Sequence, residues 1–150
     1  ASGPEEDSIM DAPCYEVLEH TADLRMAFYG ADMADLLVCA ARGLFREILG
    51  RELPPATTEA VAVSMTMPEP DLLLRAWLGE LLYLSETEQV LFTEWDVTVD
   101  ESGSLRGGAA GVPLTALPAA PHLDVKAVTY HGLYVAEFAG GLRGEVIFDL

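Results

Sequence analysis

The chain has 150 residues, 51% of them hydrophobic and 22% charged, with eight basic against 25 acidic side chains and a formal net charge of −17. About 100–200 residues is the usual size of one domain, and this much apolar material excludes a disordered or collagen-like chain. The acidity argues against strong direct nucleic-acid binding, because phosphate backbones are held by Lys and Arg, and Lys126 is the only lysine. Most of the imbalance sits in residues 1–100, with twenty acids and five bases. That half offers either a solvated acidic surface or a docking face for a basic partner.

Residues 1–13 are polar and acidic and carry Gly3 and Pro4. They read as a flexible N-terminal segment ahead of a single domain over 14–150. Cys14 and Cys39 make no metal-ligand spacing, and no disulfide is expected. Cys39 falls in an apolar helical stretch, where a free thiol acts as a small hydrophobe. No apolar run approaches the ~18 residues that a membrane span needs, and no basic-plus-apolar leader is visible, so a cytoplasmic protein is expected.

Tyr15–Leu18 is short and extended, and Leu24–Tyr29 alternates Leu24, Met26 and Phe28 with Arg25, Ala27 and Tyr29, the pattern of a half-buried strand. After Gly30, Asp32 and Asp35 suit an N-cap and first-turn acid. Leu37, Ala40, Ala41, Leu44, Phe45 and Ile48 then recur at helical spacing, with Gly50 placed to end the helix. Thr57–Met67 reads as a strand. Pro68 and Pro70 stop it and favour a second helix from near Asp71, carried by Leu73, Trp77, Leu81 and Leu84.

Strands are expected at Val90–Val99, Leu105–Leu114, His122–Tyr130, Leu133–Phe138 and Gly144–Leu150, with turns at Asp100–Gly103, Gly132 and Gly140–Gly141 and a Pro/Ala-rich linker at Ala116–Pro121. The inventory predicts an α+β fold: a two-layer domain with two long helices packed on one face of a mixed, mostly antiparallel sheet. Gly107-Gly108 and Gly140-Gly141 fit neither dinucleotide-binding nor P-loop patterns and read as hairpin turns or bulges.

Two places carry candidate chemistry. His20-Thr21-Ala22-Asp23 sets an imidazole and a carboxylate between two extended runs: metal ligands, an acid/base pair, or a turn closed by its own Asp and Thr side chains. The chain then stops on a strand-like run with no polar tail. If that strand pairs internally, the Leu150 carboxylate is fixed beside the Asp149 side chain, and two such groups repel unless a cation lies between them. All-oxygen ligands suit Ca²⁺, Mg²⁺ or Mn²⁺. Otherwise this is an ordinary exposed terminus.

Five blocks occur in order: Tyr15-Glu16-Val17-Leu18-Glu19-His20-Thr21-Ala22-Asp23; Asp35-Leu36-Leu37 with Ala40-Ala41-Arg42-Gly43-Leu44-Phe45; Trp77-Leu78-Gly79-Glu80-Leu81-Leu82-Tyr83-Leu84; Val125-Lys126-Ala127-Val128-Thr129-Tyr130-His131; and Phe148-Asp149-Leu150. As an ordered set they resemble the archease family. The resemblance implies a metal-binding activator or chaperone of the RtcB-type tRNA-splicing RNA ligase, an accessory protein that promotes GTP-dependent guanylylation and multiple turnover. It further implies a divalent cation (Ca²⁺ in crystals, Mg²⁺ or Mn²⁺ in cells) held by Asp23, Asp149 and Leu150, with His20, Lys126 and His131 around it. The rival reading is a stand-alone metal-dependent hydrolase using His20 as base beside an Asp23-bound ion.

Overall fold

The computed structural model describes residues 8–150. Residues 1–7 of the expected flexible segment lie outside the described residues. Within its remainder, Ile9–Asp11 form a 3₁₀ turn capped by the Ser8 side chain, and the Ile9 N–H donates to Ala139 O at 2.8 Å.

Strands β1 (Tyr15–His20) and β2 (Asp23–Gly30) form an antiparallel hairpin with a bulge between Val17 and Glu19. Helix α1 (Met33–Leu49) follows, its N-cap Asp32 accepting from the Asp35 N–H at 2.9 Å while Asp35 accepts from the Ala31 N–H at 2.9 Å. This reciprocal arrangement satisfies two otherwise orphaned donors. The helix ends at Gly50, whose φ of 85° is left-handed.

Next come β3 (Val61–Thr66), then α2 (Pro70–Glu88), β4 (Val90–Val99), β5 (Ser104–Pro113), β6 (Ala127–Val128), β7 (Tyr134–Phe138) and β8 (Gly141–Asp149). Pro70 at the start of α2 supplies the preset φ expected there.

The fold is α+β, with two helices packed against antiparallel sheets. Its strands divide between two sheets rather than filling one: a five-stranded sheet ordered β1-β2-β8-β6, with β7 also on β8, and a three-stranded sheet ordered β3-β5-β4. Every described pairing is antiparallel. Helix α1 lies against β2 of one sheet and β4 of the other, and so closes a common core.

That core takes Leu24, Met26, Phe28, Val146 and Phe148 from the larger sheet and Leu91, Phe92 and Leu105 from the smaller. Phe45 of α1 meets Phe92 edge-to-face at 5.7 Å. Trp77, fully buried on α2, donates its Nε1–H to Leu37 O at 2.9 Å and so joins the two helices.

Three expectations are corrected. Cys14 and Cys39 are not free thiols: they form a disulfide with Cα atoms 5.2 Å apart. A Cβ on Gly43 would lie 2.6 Å from the Tyr15 ring, so the absent side chain lets α1 sit directly on the start of β1. Cys39, one turn before Gly43 on the same helical face, is thereby brought onto Cys14, within the span a disulfide needs.

The Gly107-Gly108 pair is no turn but the middle of the central strand β5, where a Cβ on Gly107 would meet Asp96 O at 2.2 Å. Glycine there permits close strand approach. His122–Tyr130 shortens to Ala127–Val128, because His122 and Leu123 instead donate their backbone N–H groups to Ile48 O at the end of α1.

Candidate functional site

The last strand runs inside the larger sheet, with β2 on one side and β6 and β7 on the other. In its register, Asp23 is directly opposite Asp149 and Leu24 opposite Phe148. Alternation along the pair sends Leu24 and Phe148 into the core, both fully buried, and turns Asp23 and Asp149 to the exposed face. Directly opposed residues of an antiparallel pair have Cα atoms about 4.5–5.5 Å apart and project to the same side.

On the other flank of Asp149 is Ala127, and the Lys126 N–H donates to Asp149 O at 2.8 Å. Strand β8 is therefore paired on both sides up to Asp149. Leu150 packs its side chain, partly buried, against the core.

Asp23 and Asp149 thus share one end of the sheet, with Leu150 next in the chain, and among the described residues neither aspartate is in an ion pair. Adjacent uncompensated carboxylates repel, whereas a hard cation offsets the repulsion by taking oxygen ligands from each. The two aspartates offer only oxygen ligands, and no described ion pair engages either of them. Among the described residues no three His, Cys, Asp or Glu side chains gather as a metal-binding group.

The other expected residues spread out. His20 closes β1 and Asp23 opens β2, with Thr21 and Ala22 exposed between them. His20 makes no side-chain hydrogen bond to Asp23, so the hairpin holds no preformed imidazole–carboxylate pair. The Lys126 side chain is exposed beside Asp149. His131 lies on the loop after β6, its N–H donating to Thr129 Oγ1 at 3.3 Å, and its side chain borders a cleft of about 500 Å³ that also has Arg75, Tyr130 and Asp149 on its walls.

Two groups of residues escaped the sequence reading. One is Arg75, whose Nε donates to Val128 O at 3.0 Å and whose guanidinium lies 3.7 Å from the Tyr130 ring centroid. No local pattern marks it, since it comes from α2, more than fifty residues away.

The other group lies on the face of the β2–β8 pair opposite Leu24, Met26 and Phe28, where Tyr29 and Glu145 are themselves buried. Glu145 Oε1 accepts from Arg25 Nη2 at 2.9 Å, and its Oε2 accepts from the Tyr134 hydroxyl at 2.9 Å and from Arg143. Arg143 Nε also donates to the Tyr29 hydroxyl at 3.0 Å, which in turn donates to Glu16 at 2.6 Å. Burial pushes the Glu145 carboxyl up, but hydrogen bonds from Arg143, Arg25 and Tyr134 outweigh it and hold the group below its ordinary 4.5. Burial raises the Tyr29 and Tyr134 hydroxyls. The available signal was Arg25 and Tyr29 on one face of β2 and Arg143 and Glu145 at period two in β8.

Comparison with known proteins follows the same outline. The sequence profile of the archease protein family matches residues 15–150. A protein named archease from Methanosarcina mazei is 35% identical over 140 residues, covering 91% of this chain and 95% of that protein. The solution structure of a Methanobacterium thermoautotrophicum protein superposes with a TM-score of 0.77 at 31% identity, covering 91% of this chain and 99% of the other. A Thermotoga maritima crystal structure, described as an archease and possible chaperone, shares the fold with a TM-score of 0.62 at 21% identity, over 90% and 96% of the two chains.

Proposed function

The chain belongs to the archease family, and from that premise we propose that it is a metal-binding activator of an RtcB-type RNA ligase, promoting that enzyme's GTP-dependent guanylylation and repeated turnover without being a ligase itself. The observation that carries the reading is the Asp23–Asp149 register with Leu150 next in the chain. For those two carboxylates and a terminal one on Leu150, a divalent cation, Ca²⁺, Mg²⁺ or Mn²⁺, is the natural counter-charge.

When bound, the ion supplies a Lewis-acidic centre at the surface. The protein's own part is to hold that centre at a fixed place. Pairing on both sides of β8 positions the Asp149 backbone, the β1–β2 hairpin positions Asp23, and packing of the Leu150 side chain holds the terminus. The exposed acidic surface suits approach to the basic face of a nucleic-acid enzyme. No described helix is long and apolar enough to cross a membrane.

The test is ligation by the cognate ligase with GTP and Mn²⁺ under multiple-turnover conditions, with wild type, Asp23→Asn, and a chain extended by two residues after Leu150. The extension turns a terminal carboxylate into a peptide carbonyl. Both changes are expected to weaken cation binding and stimulation together. Equal stimulation by all three proteins refutes the proposed site.

A further inference from the structure

Arg75 projects from α2 toward the β6 end of the larger sheet. Its Nε–H bond to Val128 O and its stacking on Tyr130 fix the plane of the guanidinium while committing only one of its donors. Among the described residues the ion pairs are Arg25–Glu145, Arg46–Glu52 and Arg143–Glu145, so Arg75 has no carboxylate partner. In a chain with 25 acids and eight bases, a clamped guanidinium without an acidic partner is a binding fork left open. Its planar array of N–H groups matches two oxygens of a phosphate or carboxylate.

Arg75 also lines a cleft of about 500 Å³ together with Thr129, Tyr130, His131 and Asp149. Thr129 holds the loop in place: its hydroxyl donates to Ile147 O at 2.9 Å and accepts from the His131 N–H. His131 adds an exposed imidazole to the same wall. Asp149 lines the same cleft. As a bare carboxylate it repels an anion, but with a divalent ion held by Asp23, Asp149 and Leu150 that position becomes attractive. A ligand sitting between a guanidinium and a metal ion, with the imidazole beside them, should carry two negative charges and at least three oxygens.

We infer that the cleft between Arg75 and Asp149 is a subsite for a phosphate monoester, bound together with the divalent ion. The inference rests on the metal reading above and deepens it. Because the two ligands share one wall, their binding is reciprocal: the factor by which the ion tightens the phosphate is the factor by which the phosphate tightens the ion.

The experiment titrates the full chain with Mg²⁺ alone, with methyl phosphate alone, and with methyl phosphate at saturating Mg²⁺. Nitrogen-15 NMR follows the Thr129, Tyr130 and His131 amides and the Arg75 Nε–H. Methyl phosphate is expected to shift these resonances and to bind about tenfold or more tightly with Mg²⁺ present. Arg75→Gln should weaken methyl phosphate about tenfold or more while leaving Mg²⁺ affinity unchanged, and Arg75→Lys should recover part of the loss. Mg²⁺ binding with no response of methyl phosphate to Arg75→Gln overturns this inference alone, whereas absence of Mg²⁺ binding overturns both it and the metal reading. Parallel titrations with guanosine 5′-monophosphate and adenosine 3′-monophosphate tell a 5′-nucleotide from an RNA 3′ end by which binds more tightly. Both binding more weakly than methyl phosphate overturns the assignment.

Discussion

Breaking the bridge between Cys14 and Cys39 is the most direct stability experiment the structure offers. The two cysteines are 25 residues apart in sequence, and closing a loop of that length in the unfolded chain removes about 3.5 kcal/mol of conformational freedom in the chain-entropy account. For a domain of this size each kcal/mol moves the melting temperature by about 2–4 °C, so reduction should lower it by about 7–14 °C. The native contacts at the site should survive, because the Tyr29 N–H still donates to Cys14 O and Tyr15 still packs on Gly43.

Calorimetry of the full chain before and after reduction reads the change, with free thiols counted in denaturant to establish both redox states. Cys14→Ala is the better variant, since it leaves the buried Cys39 sulfur filling its place in the helix face. It should melt where the reduced wild type melts. Melting temperatures of oxidised and reduced protein within about 1 °C of each other would refute the reasoning, as would two free thiols in the protein purified without reductant.

Two further outcomes follow from the sheets and helices. Glu145 is held below its ordinary 4.5 in the folded state, so its contribution is fully present above that pH and is lost as pH falls through the depressed folded value. Urea unfolding from pH 6 down to pH 2 should show wild type losing stability more steeply than Glu145→Gln, and parallel slopes would contradict the network. Glycine substitutions should divide by surroundings. Gly111→Ala drives a Cβ to 1.8 Å from Leu91 O and should cost about 3 kcal/mol. Gly79→Ala, inside α2 with nothing within 4 Å, should stabilise by about 0.5–1 kcal/mol. Urea midpoints of the two variants check both signs.

The helices were legible because their signals are local. Asp32, Asp35 and Gly50 mark the ends of α1, and the apolar stripe between them is long enough to fix its period. The division into two sheets was not legible, since alternation says which face of a strand is buried and nothing about which strand lies beside it. Val61–Thr66 and Asp23–Gly30 alternate alike, yet they belong to different sheets. The disulfide was hidden for a related reason: it depends on Gly43 allowing α1 onto Tyr15, a contact between elements that no spacing between Cys14 and Cys39 encodes.

The candidate cation site is an instructive mixed case. The apolar run Val146-Ile147-Phe148 already pointed to a strand held inside a sheet, and Asp149 and Leu150 then followed from adjacency. Asp23 joins them only through the β2–β8 register, and that register depends on interior packing. A shift of one residue would turn Phe148 out of the core and Asp149 into it. Phe148 and Leu24, both fully buried and paired across the strands, therefore set the position of the acidic pair next to them. An Asp149 variant should leave the register intact, whereas a polar residue at Phe148 should loosen the site without touching a single ligand.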